Sequence, residues 1–158
     1  MRIAAAALVL LCCAFEGIRR SLSLKKRVEF LNEILSMLTD FAIEIRFRSL
    51  TLDELIRAVR GSFGETVRAE LASGCDVRSA WENACNTLSD KSEEKGLLSE
   101  FGQSFGTSDS GGQLRLIELY TERFSRLRTS AEADYSRKGK ALVRVGILCG
   151  TAGAVLIL

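Results

Sequence analysis

The sequence predicts an all-α protein, a bundle of about six helices set between apolar N- and C-terminal segments. Three observations carry that prediction. The 158 residues contain no proline, so no long helix has to break at a missing N–H. Apolar residues recur at steps of three and four over two long stretches, 21–48 and 113–135, and strand-like alternation is nearly absent. Between those stretches, glycines and Ser/Thr/Asp residues fall where helix stops and caps belong. The length suits one domain.

Composition narrows the function classes. Histidine is absent, which removes imidazole acid–base chemistry and imidazole metal ligation. Cys12, Cys13 and Cys149 lie in the apolar termini, and Cys75 and Cys85 lie in helical sequence without CxxC spacing. They read as core thiols in a reducing compartment. Between Val28 and Ser136 there are nineteen acidic and twelve basic residues. A net negative midsection argues against nucleic acid as a partner. Basic residues gather instead beside the apolar ends: Arg19, Arg20, Lys25, Lys26 and Arg27 after the first, and Arg137, Lys138, Lys140 and Arg144 at the last.

Residues 1–18 are apolar from Ile3 to Phe15. About 18 helical residues reach ~27 Å, close to the ~30 Å of bilayer hydrocarbon. A cleaved signal peptide, a lipid anchor at Cys12 or Cys13, and a retained membrane helix all compete. The cleavage site is poor, and Leu11 stands where a lipid anchor wants a small residue before Cys12. The basic cluster that follows favours a retained helix.

Ser21–Arg48 carries a stripe of Leu24, Val28, Leu31, Leu35, Leu38, Ala42 and Ile45, widened by Phe30, Ile34, Met37 and Phe41. So broad a face needs neighbours on two sides. Thr51-Leu52-Asp53-Glu54 reads as a capping box, with Leu50 and Leu55 as its staple. A helix from about Leu52 to Arg60 should stop at Gly61 and Gly64. Another should run from about Glu65 to Ala72 and stop at Gly74. Asp76 should cap Val77–Leu88, where Trp81 reads as a core anchor. Ser92 should cap Glu93–Phe105, ended by Gly106. Gly111 and Gly112 should keep the next turn loose. From Gln113, the residues Leu114, Ile117, Thr121, Phe124, Ala131 and Tyr135 keep the three–four rhythm, and this long helix should pack antiparallel to Ser21–Arg48.

Residues 141–158 form the second apolar segment, with Arg144 able to snorkel to the headgroups. Gly146, Gly150 and Ala154 make a small-residue face suited to close packing in lipid, with the N-terminal segment as its expected partner. Both basic clusters lie at the inner ends of the apolar segments. The positive-inside rule then puts the N-terminus out, 19–140 in the cytoplasm and the C-terminus out.

No catalytic constellation stands out. The glycines follow no strand and precede no Lys-Ser/Thr pair, and no GxSxG elbow occurs. The pairs Asp53-Glu54 and Glu93-Glu94 sit where helix N-termini favour negative charge. No catalytic residue, metal, cofactor or small-molecule substrate is expected. The acidic midsection, with Glu93 and Glu94 as its test positions, could face a basic partner.

The pattern Leu98, Phe101-Gly102-Gln103-Ser104-Phe105-Gly106, then Asp109 and Gln113, resembles the signature of the stage III sporulation protein AB (SpoIIIAB) family of endospore-forming bacteria. The family more often carries leucine where this chain has Phe105. The likeness extends over essentially the whole chain, through the lone Trp81 to the glycine-rich apolar tail. It implies a component of the SpoIIIA–SpoIIQ complex, a secretion-like channel between mother cell and forespore, in the membrane on the mother-cell side. It also implies a helical domain like the cytoplasmic domain of the type II secretion platform protein. That domain would couple a cytosolic SpoIIIAA-like ATPase to the other SpoIIIA subunits in the membrane. A platform-type protein of a type II secretion or type IV pilus system, and an exported membrane-anchored helical binding module, are the alternatives.

Overall fold

A computed structural model describes residues 2–47, 52–88 and 92–139, together with 141, 145 and 148; the side chains of 2–11, 13, 14, 52 and 53 lie outside that description. Six α-helices and one π-helical turn make up the described residues: α1 Arg2–Phe47, α2 Leu52–Arg57, α3 Gly61–Ala72, α4 Val77–Asn86, α5 Glu93–Ser104 and α6 Ser110–Asp134, followed by Tyr135–Gly139 in π geometry. No strand occurs among them. The chain divides into two compact units, one spanning Phe30–Leu127 and one combining Met1–Glu29 with Arg128–Leu158.

In the 30–127 unit, the face expected on α1 is the core. Leu31, Ile34, Met37, Leu38, Phe41 and Ile45 are buried. From α6 come Ile117, Tyr120 and Phe124, and the short helices add Leu55, Ile56, Val59, Phe63, Val67, Trp81, Leu98 and Phe101.

The helix ends differ from expectation in instructive ways. Gly64 does not stop a helix. It lies in the first turn of α3, where a Cβ would stand 2.6 Å from the Val59 carbonyl oxygen, so the bare Cα lets the chain double back on itself. The residue before α3, Arg60, supplies no side-chain cap. Glu33 of α1 takes that role from a distance: its Oε2 accepts from the Ser62 N–H at 2.9 Å and the Ser62 hydroxyl at 2.8 Å. Asp76 and Ser92 cap α4 and α5 as the sequence indicated, accepting from the Ser79 and Lys95 N–H groups. Gly111 and Gly112 belong to α6 rather than to a loose turn. The capping box at Thr51 and the staple residue Leu50 lie outside the described residues.

In the other unit, Ser21 of α1 meets the π-helical turn. A Cβ on the buried Gly139 would stand 3.2 Å from Ser21 Oγ and 3.0 Å from the Tyr135 ring. Arg27 and Lys138 both act on Asp134 and hold its carboxyl below the ordinary range, the Lys138 hydrogen bond being the larger cause. Residue 21 therefore faces 139 while 27 faces 134, so the two chain segments run in opposite directions.

Among the described residues, no helix is long and apolar enough to cross a membrane. In α1 the apolar run ends at Phe15, since Glu16 follows and pairs with Arg19 at 3.2 Å and Arg20 at 2.9 Å. The stretch Ile3–Phe15 gives only ~20 Å of helix against ~30 Å of hydrocarbon. The expected N-terminal span over 1–18 is thus unsupported by the described residues. The expected C-terminal span over 141–158, with Gly146, Gly150 and Ala154, lies outside them apart from positions 141, 145 and 148.

Candidate interaction surface at the α5–α6 corner

Trp81 holds the short helices together. Its indole N–H donates to the Leu98 carbonyl at 2.8 Å, a buried bond from α4 to α5. Its ring meets Phe63 edge-on at 4.9 Å between centroids and Phe101 at 5.8 Å. Gly102 makes this approach possible, because a Cβ there would overlap indole carbon Cδ1 and nitrogen Nε1. Phe101 in turn stacks on Phe105 at 4.8 Å and meets Tyr120 of α6 edge-on at 5.3 Å. Phe105 stacks on Phe41 of α1 at 5.3 Å. One chain of aromatic contacts therefore joins α1, α3, α4, α5 and α6, and such pairs contribute beyond their buried area.

The remaining motif residues turn the corner. Gly106 adopts φ of +82°, the left-handed region that glycine enters at low cost. Asp109 caps α6, its Oδ1 accepting from the Gly112 N–H at 3.0 Å. A Cβ on Gly112 would press on Ser108 and Asp109, which explains a glycine inside the first turn. The Gln113 side-chain amide donates to the Ser108 carbonyl at 3.0 Å. Phe101, Gly102, Phe105, Gly106, Asp109 and Gln113 thus come together as one structural device. Asp109 and Gln113 fix the turn, while Phe101 and Phe105 fill the core beside it.

The device leaves a groove open. Ile56, Val77, Trp81, Phe101, Gly102 and Phe105 line it, with Asp76 and Arg78 on its rim, and its volume is ≈ 310 Å³. Asp76 is held below the ordinary carboxyl range, chiefly by the Ser79 side chain and then by the Ser79 backbone N–H. The groove therefore offers an apolar floor with one acid and one base at its edge. That arrangement suits docking of an apolar side chain from a protein partner rather than bond-breaking chemistry.

Titratable groups elsewhere in this unit serve packing. Cys85 is buried, and desolvation, with the Glu82 charge behind it, pushes its thiol up to about 12. It stays protonated and inert. Burial and then Glu100 raise the Tyr120 hydroxyl, which hydrogen-bonds Glu100 at 3.3 Å while Arg123 stacks on its ring. No cluster of three or more metal-capable side chains occurs among the described residues. Glu94 is buried, so of the acidic pair only Glu93 remains available to a partner.

A family model described as stage III sporulation protein AB matches residues 2–158. The chain belongs to that family. The match covers the corner and both terminal segments, and the membership supports a sporulation role. Neither a curated protein nor a solved structure gives a match. Sequence reasoning placed the corner residues together but did not see why Gly102 is glycine. Its partner, Trp81, is 21 positions earlier, and only the α4–α5 packing brings them into contact.

Proposed function

We propose that this member of the stage III sporulation protein AB family is a non-enzymatic, membrane-anchored coupling component of the SpoIIIA–SpoIIQ secretion-like channel. The family match over residues 2–158 carries this reading. Residues 1–18 and 141–158 anchor the chain in the mother-cell membrane around the forespore. The basic residues beside them keep 19–140 on the cytoplasmic side. The small-residue face at Gly146, Gly150 and Ala154 packs against the N-terminal segment, and the resulting hairpin docks with other membrane subunits of the complex.

In this reading the helical domain works by position. It presents the corner groove to a cytosolic SpoIIIAA-like ATPase, much as the platform protein of type II secretion presents its helical domain. Phe101, Gly102 and Phe105 shape the groove, and Asp76 and Arg78 orient the partner at its rim. Gly106, Asp109 and Gln113 hold the corner that keeps the groove in place. Acidic Glu93 adds favourable charge toward a basic partner face.

The test is co-purification of the full chain with the ATPase encoded alongside it. Val77 is half-buried at the groove and Arg78 is exposed, so Val77→Asp with Arg78→Glu alters the surface and spares the core. The double variant should keep its helical content and lose the ATPase. Undiminished co-purification would remove the groove from the contact.

A further inference from the structure

The unit formed by Met1–Glu29 and Arg128–Leu158 shows apolar and basic side chains side by side. On α1, Phe15, Ile18 and Leu22 are 69 %, 46 % and 51 % exposed. They stand at i, i+3 and i+7, one stripe down one helix face. Arg19 and Lys26, at i+4 and i+11 from Phe15, border that stripe on one side, and Lys25, at i+7 from Ile18, borders it on the other. All three are exposed.

The π-helical turn brings more of the same. Gly139 is buried with its Cα against Ser21, the residue next to Leu22. With 21 opposite 139 and 27 opposite 134, Arg137 and Lys138 lie level with the Leu22 end of the α1 stripe, and Tyr135 lies further along, level with Lys25 and Lys26. Tyr135, Arg137 and Lys138 are exposed. π-helical turns often mark functional positions, because they re-aim the side chains of one helical turn. At this level the unit holds Arg19, Arg20, Lys25, Lys26, Arg27, Arg137 and Lys138 against Glu16, Glu29, Glu132 and Asp134. Lys138 pairs with Asp134 at 2.7 Å, Lys25 with Glu29 at 3.2 Å and Arg19 with Glu16 at 3.2 Å, all at exposed sites where such pairs are weak.

We infer that this level is a belt for anionic phospholipid, in which Phe15, Ile18 and Leu22 enter the acyl boundary, Arg19, Lys26, Arg137 and Lys138 hold phosphate headgroups, and Tyr135 lies on the headgroup side. Charge complementarity selects the occupant, since apolar residues interleaved with exposed cations match an anionic bilayer surface. An aromatic residue at the rim is what interfaces favour. An acidic protein would satisfy the cations but not a stripe that leads into the apolar sequence Ile3–Phe15. The inference rests on the membrane-anchoring reading above and adds a lipid class to it.

The experiment uses the full chain in mild detergent with equal amounts of phosphatidylglycerol and phosphatidylcholine. Native mass spectrometry reads which lipid stays bound, and vesicle flotation reads membrane association. The wild-type chain should retain phosphatidylglycerol over phosphatidylcholine by roughly tenfold or more, falling as salt rises. Arg19→Gln, Lys26→Gln, Arg137→Gln and Lys138→Gln together should bring the ratio near unity and leave flotation intact. Arg78→Gln with Arg126→Gln, two exposed cations of the other unit, should not move it. Equal retention of the two lipids by the wild-type chain, with flotation intact, would overturn the belt and leave membrane anchoring standing. Absence of both retention and flotation would overturn the two together.

Discussion

The 30–127 unit hides most of its large aromatic side chains, exposed Phe47 excepted, whereas the unit of 1–29 and 128–158 displays several large apolar ones. Phe63, Trp81, Phe101, Phe105 and Phe124 are each buried to within a few per cent in the first. Phe15, Ile18, Leu22, Val145 and Leu148 are exposed in the second. The local rule is the same in both, an apolar residue every three or four positions. The outcome differs because of what is available to cover the stripe. Four short helices lie between α1 and α6 in the first unit, and α1 is covered on two sides. Among its described residues the second has a pair of helical segments, and two helices cannot cover each other's full circumference. Helical periodicity therefore tells which residues need cover, while topology decides whether the described chain supplies it.

Several substitutions would sharpen this contrast. Phe101→Ala and Trp81→Ala should each destabilise the 30–127 unit by about 3–5 kcal/mol, read as a lowered midpoint in urea unfolding followed by circular dichroism. Trp81→Ala also leaves the Leu98 carbonyl without the indole donor. Gly102→Ala should destabilise by about 1–3 kcal/mol, because the indole cannot retreat without disturbing Phe63 and Phe101. Combined with Trp81→Ala it should add little, since the two share one contact. A strictly additive double variant would mean that Gly102 is needed for another reason. Gly106→Ala should cost about 1 kcal/mol from its positive φ alone.

The pH dependence is smaller and has a fixed sign. Ser79 lowers the Asp76 carboxyl in the folded state. The cap therefore contributes stability above the ordinary carboxylate range, and this contribution disappears as pH falls through the lowered folded value. Asp76→Asn should flatten that part of the acid-unfolding profile and leave stability near neutral pH almost unchanged. Least of all should be the effect of Ile18→Ser with Leu22→Ser on the unfolding midpoint, because both side chains are already exposed. A large loss there would show that the stripe is covered within the chain, and the contrast between the units would collapse.

Much of this architecture was legible in advance. The α1 stripe, the Asp76 and Ser92 caps and the Gly106 turn follow from local chemistry. What escaped was long-range. Glu33 caps α3 from 29 residues away, a bond no local signal encodes. Gly64 looked like a helix stop, yet its role is to let Val59 pass close by. The same holds for Gly102 and Trp81, where a glycine serves a partner on another helix. Glu94 looked like surface charge at a helix start and is buried. The π-helical turn at Tyr135–Gly139 ends in a glycine but carries no other signal, and neither its width nor its contact with Ser21 is written in its local sequence. In each case the deciding contact is tertiary, and the sequence names only one of its two partners.

The central claim is that 19–140 faces the cytoplasm while both apolar segments engage the membrane. Labelling with an impermeant maleimide tests it in intact vegetative cells made to express the chain, where its membrane faces the medium, in a chain freed of its native cysteines. Gly96 is the place for a probe, since it is exposed and a Cβ there meets nothing within 4 Å. The account predicts that Gly96→Cys stays unlabelled until the cells are lysed, while a cysteine added after Leu158 is labelled from outside. Labelling of Gly96→Cys in intact cells would put the domain on the other side of the membrane, out of reach of a cytosolic ATPase, and would contradict the account.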